Sequence, residues 1–257
     1  MRGRVGFYAV KRPAWTAWWS AVTLVVAAAV ASGLADDPWA VTAAAPPQPG
    51  QAVYSIPIQE RLLSFAVNVD WGGELLPRML ALFERHDARV TFFPTGRWAA
   101  MEPELVQALV RAGHELGNHG WRHDHPKALG DEALRDHIVR NQRFLRDLTG
   151  VETRLYAPPY GEVDARIARI AAEEGHWTIM WTIDTVDWQR PDPDVIVRRI
   201  VPRAQPGAIV LMHPTEPTLA ALPTVLDMLT QAGWRVVPVG ELLERAGTTS
   251  PGDAARR

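Results

Sequence analysis

The chain contains no cysteine in 257 residues. Disulfides, thiolate nucleophiles, cysteine-type zinc sites and cysteine-ligated iron–sulfur clusters are therefore excluded, and any metal must be held by histidine and carboxylate. A basic excess is also missing, since 27 Lys and Arg face 29 Asp and Glu. Setting aside Arg2, Arg4, Lys11 and Arg12 leaves 23 basic against 29 acidic residues, a formal −6 on the remainder. Nothing in that balance favours a nucleic-acid partner. No G-x-G-x-x-G follows the first strand-like run, so a dinucleotide fold has no support. Internal repeats and long heptads are absent as well. What is present is 47% hydrophobic and 22% charged residues, a globular composition rather than a disordered one.

The N-terminal segment differs from the rest. Its start is basic, and Ala14 to Ala35 carries no charge. At about 1.5 Å per residue, a helix of that run spans a bilayer core. The basic flank would stay in the cytoplasm and the remainder would lie outside. A cleaved signal peptide is the alternative, with small residues at 27–31 and 43–45 available to a peptidase. The expected organisation is 1–36 as signal-anchor or signal peptide, 37–52 as a Pro/Ala linker, 53–245 as one globular domain and 246–257 as a flexible tail. The expected location is the cell membrane, single-pass with the domain extracytoplasmic, or secreted if the segment is cleaved.

The domain alternates strand-like and helix-like runs. Strands are expected at 62–70, 88–96, 114–120, 153–157, 177–184, 208–213 and 234–240. Helices are expected at 75–85, 103–112, 131–148, 163–174, 194–201 and 218–232, one closed by Gly150 and another by Gly175. This repeat implies an α/β fold with a parallel sheet and right-handed crossovers. Polar residues that suit no core gather at strand ends, which favours a barrel-like arrangement of about seven strands over an open sheet.

Those strand ends carry the chemistry. His119 and His123 are four apart and could reach one ion, with Asp70 from the first strand as a carboxylate third ligand. The same stretch holds His114, Asp124 and His125. His213 follows an apolar strand and suits proton transfer near neutral pH, with Asp184 or Asp187 to orient it. Trp181 and Trp188 could line a sugar pocket. Met79, Met180 and Met212 lie in apolar runs and read as core.

The ordered set VNVDWG (67–72), TFFPTG (91–96), GHELGNHGWRH (113–123), APPYG (157–161), WTIDTVDW (181–188) and IVLMHP (209–214) resembles the polysaccharide deacetylase family. This is the NodB-homology domain or carbohydrate esterase family 4, and the resemblance covers about 60–243. VNVDWG with HPTEPT is most similar to its sporulation-associated, YlxY-like branch. The resemblance implies a deformed (β/α) barrel and a divalent metal, usually zinc. It also implies removal of N-acetyl groups from N-acetylglucosamine units of peptidoglycan or a chitin-like polymer. Carried onto this chain, the metal ligands would be His119 and His123 with Asp70. His213 would be the general acid and Asp187 its partner. Tyr160, beside Pro159, would contribute a backbone N–H to an oxyanion hole, and Trp188 and Leu211 would form the groove.

Two departures stand out. The family's first motif is T-F-D-D, and its base position falls here on Asn68, an amide that accepts no proton at neutral pH. Its metal-binding aspartate position falls on Val69, so Asp70 would serve from one residue further on, sharing a strand face with Asn68. The family's R-P-P-Y arginine is Ala157. The two changes fit together, because a neutral Asn needs no guanidinium counter-charge. Three mechanisms stay open: metal-bound water with Asp70 as ligand, Asp70 or His125 as base with weak metal binding, and a glycan-binding cleft without turnover.

Overall fold

The protein is described by a computed structural model covering residues 45–248 and Pro251. The anchor or signal expectation for 1–36, half of the linker and most of the tail fall outside the described residues. Among those described, no helix is long and apolar enough to cross a membrane.

The centre is strand β2 (Leu62–Val69), with all eight residues buried. Both faces are covered, as a continuous run of branched and aromatic residues requires. On one side β2 pairs with β8 (Ile209–Met212), Ser64 opposite Ile209 through Val67 opposite Met212. On the other it pairs with β3 (Thr91–Pro94), Ala66 opposite Thr91 through Val69 opposite Pro94. The order is β4 (Glu115–Leu116), β3, β2, β8, β7 (Ile183–Asp184), with β9 (Arg235–Val236) beside the start of β2. A second sheet runs β1 (Ala52–Val53), β6 (Trp177–Ile179), β5 (Leu155–Tyr156). Every ladder within the two sheets is parallel. A parallel bridge from Asn118 to Tyr156 links them.

Helices cover the sheets. In α1 (Leu76–Arg85), Leu76, Met79, Leu82 and Phe83 form one buried stripe. Phe83 meets Phe92 edge-on at 6.3 Å, and each ring is fully buried. Burial of such a side chain stabilises by about 2–3 kcal/mol. Met79 and Met212 are core, and Met180 is buried. The 19-residue α4 (Asp131–Thr149) ends on Gly150 in the left-handed conformation, φ 75°, whose N–H reaches the Arg146 carbonyl. The remaining helices are α2 (Gly96–Met101), α3 (Pro103–Arg111), α5 (Ala165–Glu173), α6 (Pro193–Ile200), α7 (Glu216–Gln231) and α8 (Val239–Arg245).

The elements differ from expectation in several places, and the strand expected over 114–120 is confined to Glu115–Leu116. The strand expected over 88–96 stops at Pro94, because Thr95 caps α2 by accepting from the Trp98 N–H. The strand expected over 234–240 stops at Val236, and the Val239 N–H that opens α8 goes to the Thr91 hydroxyl. The run 177–184 divides, since the Met180 N–H bonds to Val53 and the Thr182 N–H to Ile209. Ala52, expected in the linker, pairs with Thr178.

Candidate functional site

The C-terminal ends of the parallel strands open into a cavity of about 500 Å³. Its wall takes Asn68, Asp70 and Trp71 from the end of β2, and His119 and His123 from the loop after β4. Tyr160 and Gly161 come from the turn after β5, and Trp181, Asp184 and Trp188 from the segment around β7. Leu211 and His213 close it from β8. Asn68 and Asp70 share the cavity face, while Val69 between them is fully buried in the core on the other.

The histidine loop is built by close approach. A Cβ on Gly117 would meet the Phe93 ring at 2.3 Å, and one on Gly120 would lie 1.6 Å from His137 Nε2, with φ +75°. Asn118 Oδ1 accepts from the Gly120 N–H and from Asn141, and its amide donates to the Ile138 carbonyl. His119 is buried, with Nδ1 2.6 Å from the Ala157 carbonyl oxygen. Burial first, then the neighbouring His123, holds its pKa well below the usual range. A neutral ring donating from Nδ1 presents Nε2 as an acceptor. His123 is also lowered by burial, against the opposing pull of Asp70. The two rings meet edge-to-face at 5.0 Å.

Asp70 is not free. Its Oδ1 accepts from the Thr95 hydroxyl at 2.6 Å and from Arg97 Nε at 2.9 Å. Its Oδ2 takes the second prong of the same guanidinium. Among the described residues, no three His, Cys, Asp or Glu side chains are placed to share one metal ion. The expected set of Asp70, His119 and His123 is therefore not placed as a three-ligand site, and both carboxylate oxygens already accept from Arg97 and Thr95. The guanidinium that meets Asp70 thus comes from the segment after β3. Ala157 itself is buried.

The structure brings His213 and Asp187 together. His213 Nδ1 lies 2.8 Å from Asp187 Oδ1, and its backbone N–H donates to Oδ2 at 2.6 Å. Thr218 Oγ1 donates to the same oxygen. Asp184 instead accepts from the Val186 N–H and shapes the turn. That turn, Asp187–Gln189, is bracketed by Val186 and Arg190, both left-handed at φ 56° and 53°. Tyr160 is also left-handed, φ 59°, and Pro159 beside it is buried. His125 stacks flat on Tyr160 at 3.9 Å and pairs with Glu162 through Nδ1. His114 is structural: it accepts from the Val90 N–H and sits edge-on to Phe83 and Phe92.

Four residues without an assigned role complete the site. Trp71 stacks parallel to His213, with centroids 6.0 Å apart. The Pro214 carbonyl lies 2.3 Å from where a Cβ on Gly72 would stand, so only glycine lets the chain pass there. Thr95 and Arg97 follow β3, and the Val69–Pro94 register sets that strand's end beside Asp70.

Comparison with known proteins identifies the family. The polysaccharide deacetylase profile matches residues 62–179. A peptidoglycan-N-acetylglucosamine deacetylase of Bacillus cereus is 31% identical over 200 residues, covering 76% of this chain and 93% of that protein. The chain belongs to the polysaccharide deacetylase family. Within the family it is 33% identical over 183 residues to the uncharacterized protein YlxY of Bacillus subtilis, covering 71% of this chain and 57% of YlxY. It thus spans little more than half of that relative. The crystal structure of a CE4 family pseudoenzyme from Bacillus anthracis is 38% identical with a TM-score of 0.74, covering 77% of this chain and 70% of that one.

Proposed function

We propose that this member of the polysaccharide deacetylase family binds N-acetylglucosamine-containing glycan, of the peptidoglycan or chitin-like kind, in a cleft that does not turn it over. The observation that carries the reading is the engagement of both Asp70 oxygens by Arg97 and Thr95. A carboxylate so held is neither a free base nor a third metal ligand. The likeness to a pseudoenzyme of Bacillus anthracis points the same way. The binding half of the site is well furnished. Trp71, Tyr160 and Trp188 stand 43%, 56% and 56% exposed at the cavity, where flat apolar rings match sugar faces. Asn68 Oδ1 is buried without a protein partner and can accept an acetamide N–H. Tyr160 and Leu211 line the same cavity.

The same reading takes the two sheets as one deformed (β/α) barrel, with 177–184 and the Asn118–Tyr156 bridge as seams. It also takes 53–245 as the NodB domain, held at or released from the membrane by residues 1–36, facing cell-wall polysaccharide. A hydrolase reading is favoured by one feature, the intact His213–Asp187 pair. One experiment separates them: calorimetric titration of the chain with N-acetylglucosamine oligomers, with acetate assayed on the same samples after zinc loading. Saturable binding without acetate above background is expected. Acetate release that depends on His213 would reverse the conclusion.

A further inference from the structure

Arg97 is fixed to the loop that carries the two histidines. Its backbone N–H donates to the Trp121 carbonyl at 2.8 Å, and the Gly96 N–H donates to the Gly120 carbonyl at 3.0 Å. From that footing the side chain crosses to Asp70 and meets it with two parallel donors. The acceptor side of the pair is covered, with the Asp70 side chain 9% exposed and the Arg97 side chain 50%. A fork-to-fork pair of this kind fixes the carboxylate plane as well as its position. Thr95 adds a third donor from the cap of α2. Turning Asp70 toward His119 and His123 would break all three bonds together.

The charge of Arg97 acts in the same direction. The guanidinium cannot be deprotonated in a protein, so a positive charge stands permanently beside the histidine pair. A dication placed between His119 and His123 would meet the repulsion of that charge with only two neutral nitrogens to hold it.

We infer that Arg97 is the residue that closes this cleft to divalent metal: it supplies the resident cation, takes both oxygens of Asp70, and leaves His119 and His123 as a two-ligand pair. Arg97 is a positioning residue, acting through Asp70. The inference deepens the glycan-binding reading above and rests on it, yet its readout is metal affinity, so either can fail alone.

The test is a titration of the full-length chain with Co²⁺, followed by visible d–d absorption, with Zn²⁺ competition giving affinities. Arg97→Ala and Arg97→Gln should each bind Co²⁺ at least ten-fold tighter than the unaltered chain and gain a four- or five-coordinate spectrum. Asp70→Asn in the Arg97→Ala background should return both to the starting values. Arg97 is exposed enough for either substitution to fold, and thermal unfolding of each variant checks this. The inference is overturned if the unaltered chain binds one Co²⁺ with an affinity that Asp70→Asn abolishes. It is equally overturned if both folded Arg97 variants bind metal no better than the unaltered chain. Loss of oligosaccharide binding with the metal result intact would count against the glycan reading alone.

Discussion

The Asp187 carboxylate accepts from both the imidazole and the backbone N–H of His213, at 2.8 and 2.6 Å, while itself fully buried. With Thr218 donating as well, three donors converge on one buried charge. Asp187→Ala should therefore destabilise the fold by about 3–5 kcal/mol, because the donors are orphaned together. Asp187→Asn should cost less, since the amide oxygen still serves one or two of them. Denaturant unfolding of the two variants checks the order, and an Asp187→Ala protein as stable as the parent would refute it.

The aromatic wall predicts a separation of affinity from stability. Trp71→Ala and Trp188→Ala should each weaken binding of N-acetylglucosamine oligomers about ten-fold, or ~1.4 kcal/mol. Both side chains are half-exposed, so unfolding free energies should fall by less than the ~3–5 kcal/mol of truncating a buried aromatic. Calorimetry and denaturation on the same preparations measure the two quantities.

Asn68 predicts a chemical preference. If its buried Oδ1 accepts the acetamide N–H, N-acetylglucosamine oligomers should bind at least ten-fold more tightly than their de-N-acetylated counterparts. Asn68→Ala should remove most of that difference. Equal affinity for the two sugars would place the acetamide elsewhere.

Gly120 predicts a large backbone effect. Gly120→Ala would put a methyl 1.6 Å from His137 Nε2 at φ +75°, and should cost more than ~3 kcal/mol. Gly130→Ala is the control, because nothing lies within 4 Å of the added carbon. Thermal unfolding of the pair is the measurement.

Stability should also fall with acid before carboxylates titrate. Burial pushes His114, His137 and His176 each down to about 4. The folded state then binds fewer protons than the unfolded state between about pH 6.5 and 4. Their contribution is complete above about 6.5 and is lost as pH falls toward 4, by up to about 3 kcal/mol per ring. Urea unfolding at pH 7.5, 6 and 5 should show this decline, and flat stability across that range would contradict it.

What the sequence made legible follows the range of the interactions involved. Strand β2 reads directly because both its faces are buried, leaving an uninterrupted apolar run. Helix α4 reads from its period and from Gly150, since both signals are local. Helix α2 does not, because the Thr95 cap competes with a strand-like neighbourhood that continues the TFFP run. The pairing of Asp70 with Arg97 joins residues 27 apart and exists only because β2 and β3 lie in one parallel register. Ala157 shows that a guanidinium is absent from one position but carries no information about its arrival from another. Trp71 sits inside a recognised motif, yet its place over His213 depends on how Gly72 passes Pro214.

The left-handed Val186 has a further consequence. A β-branched residue at φ 56° is costly, and it persists here under the bonds that fix Asp187 and the Val186 N–H. Trp188 stands one residue past that pinned carboxylate, on a turn closed by the Gln189 and Arg190 N–H groups. The turn thus carries the indole to the cavity on a backbone that is already fixed. On the proposed glycan-binding reading, little loop entropy would remain to be lost when a sugar ring stacks on it, and the strain held in Val186 would reappear as a smaller ordering cost.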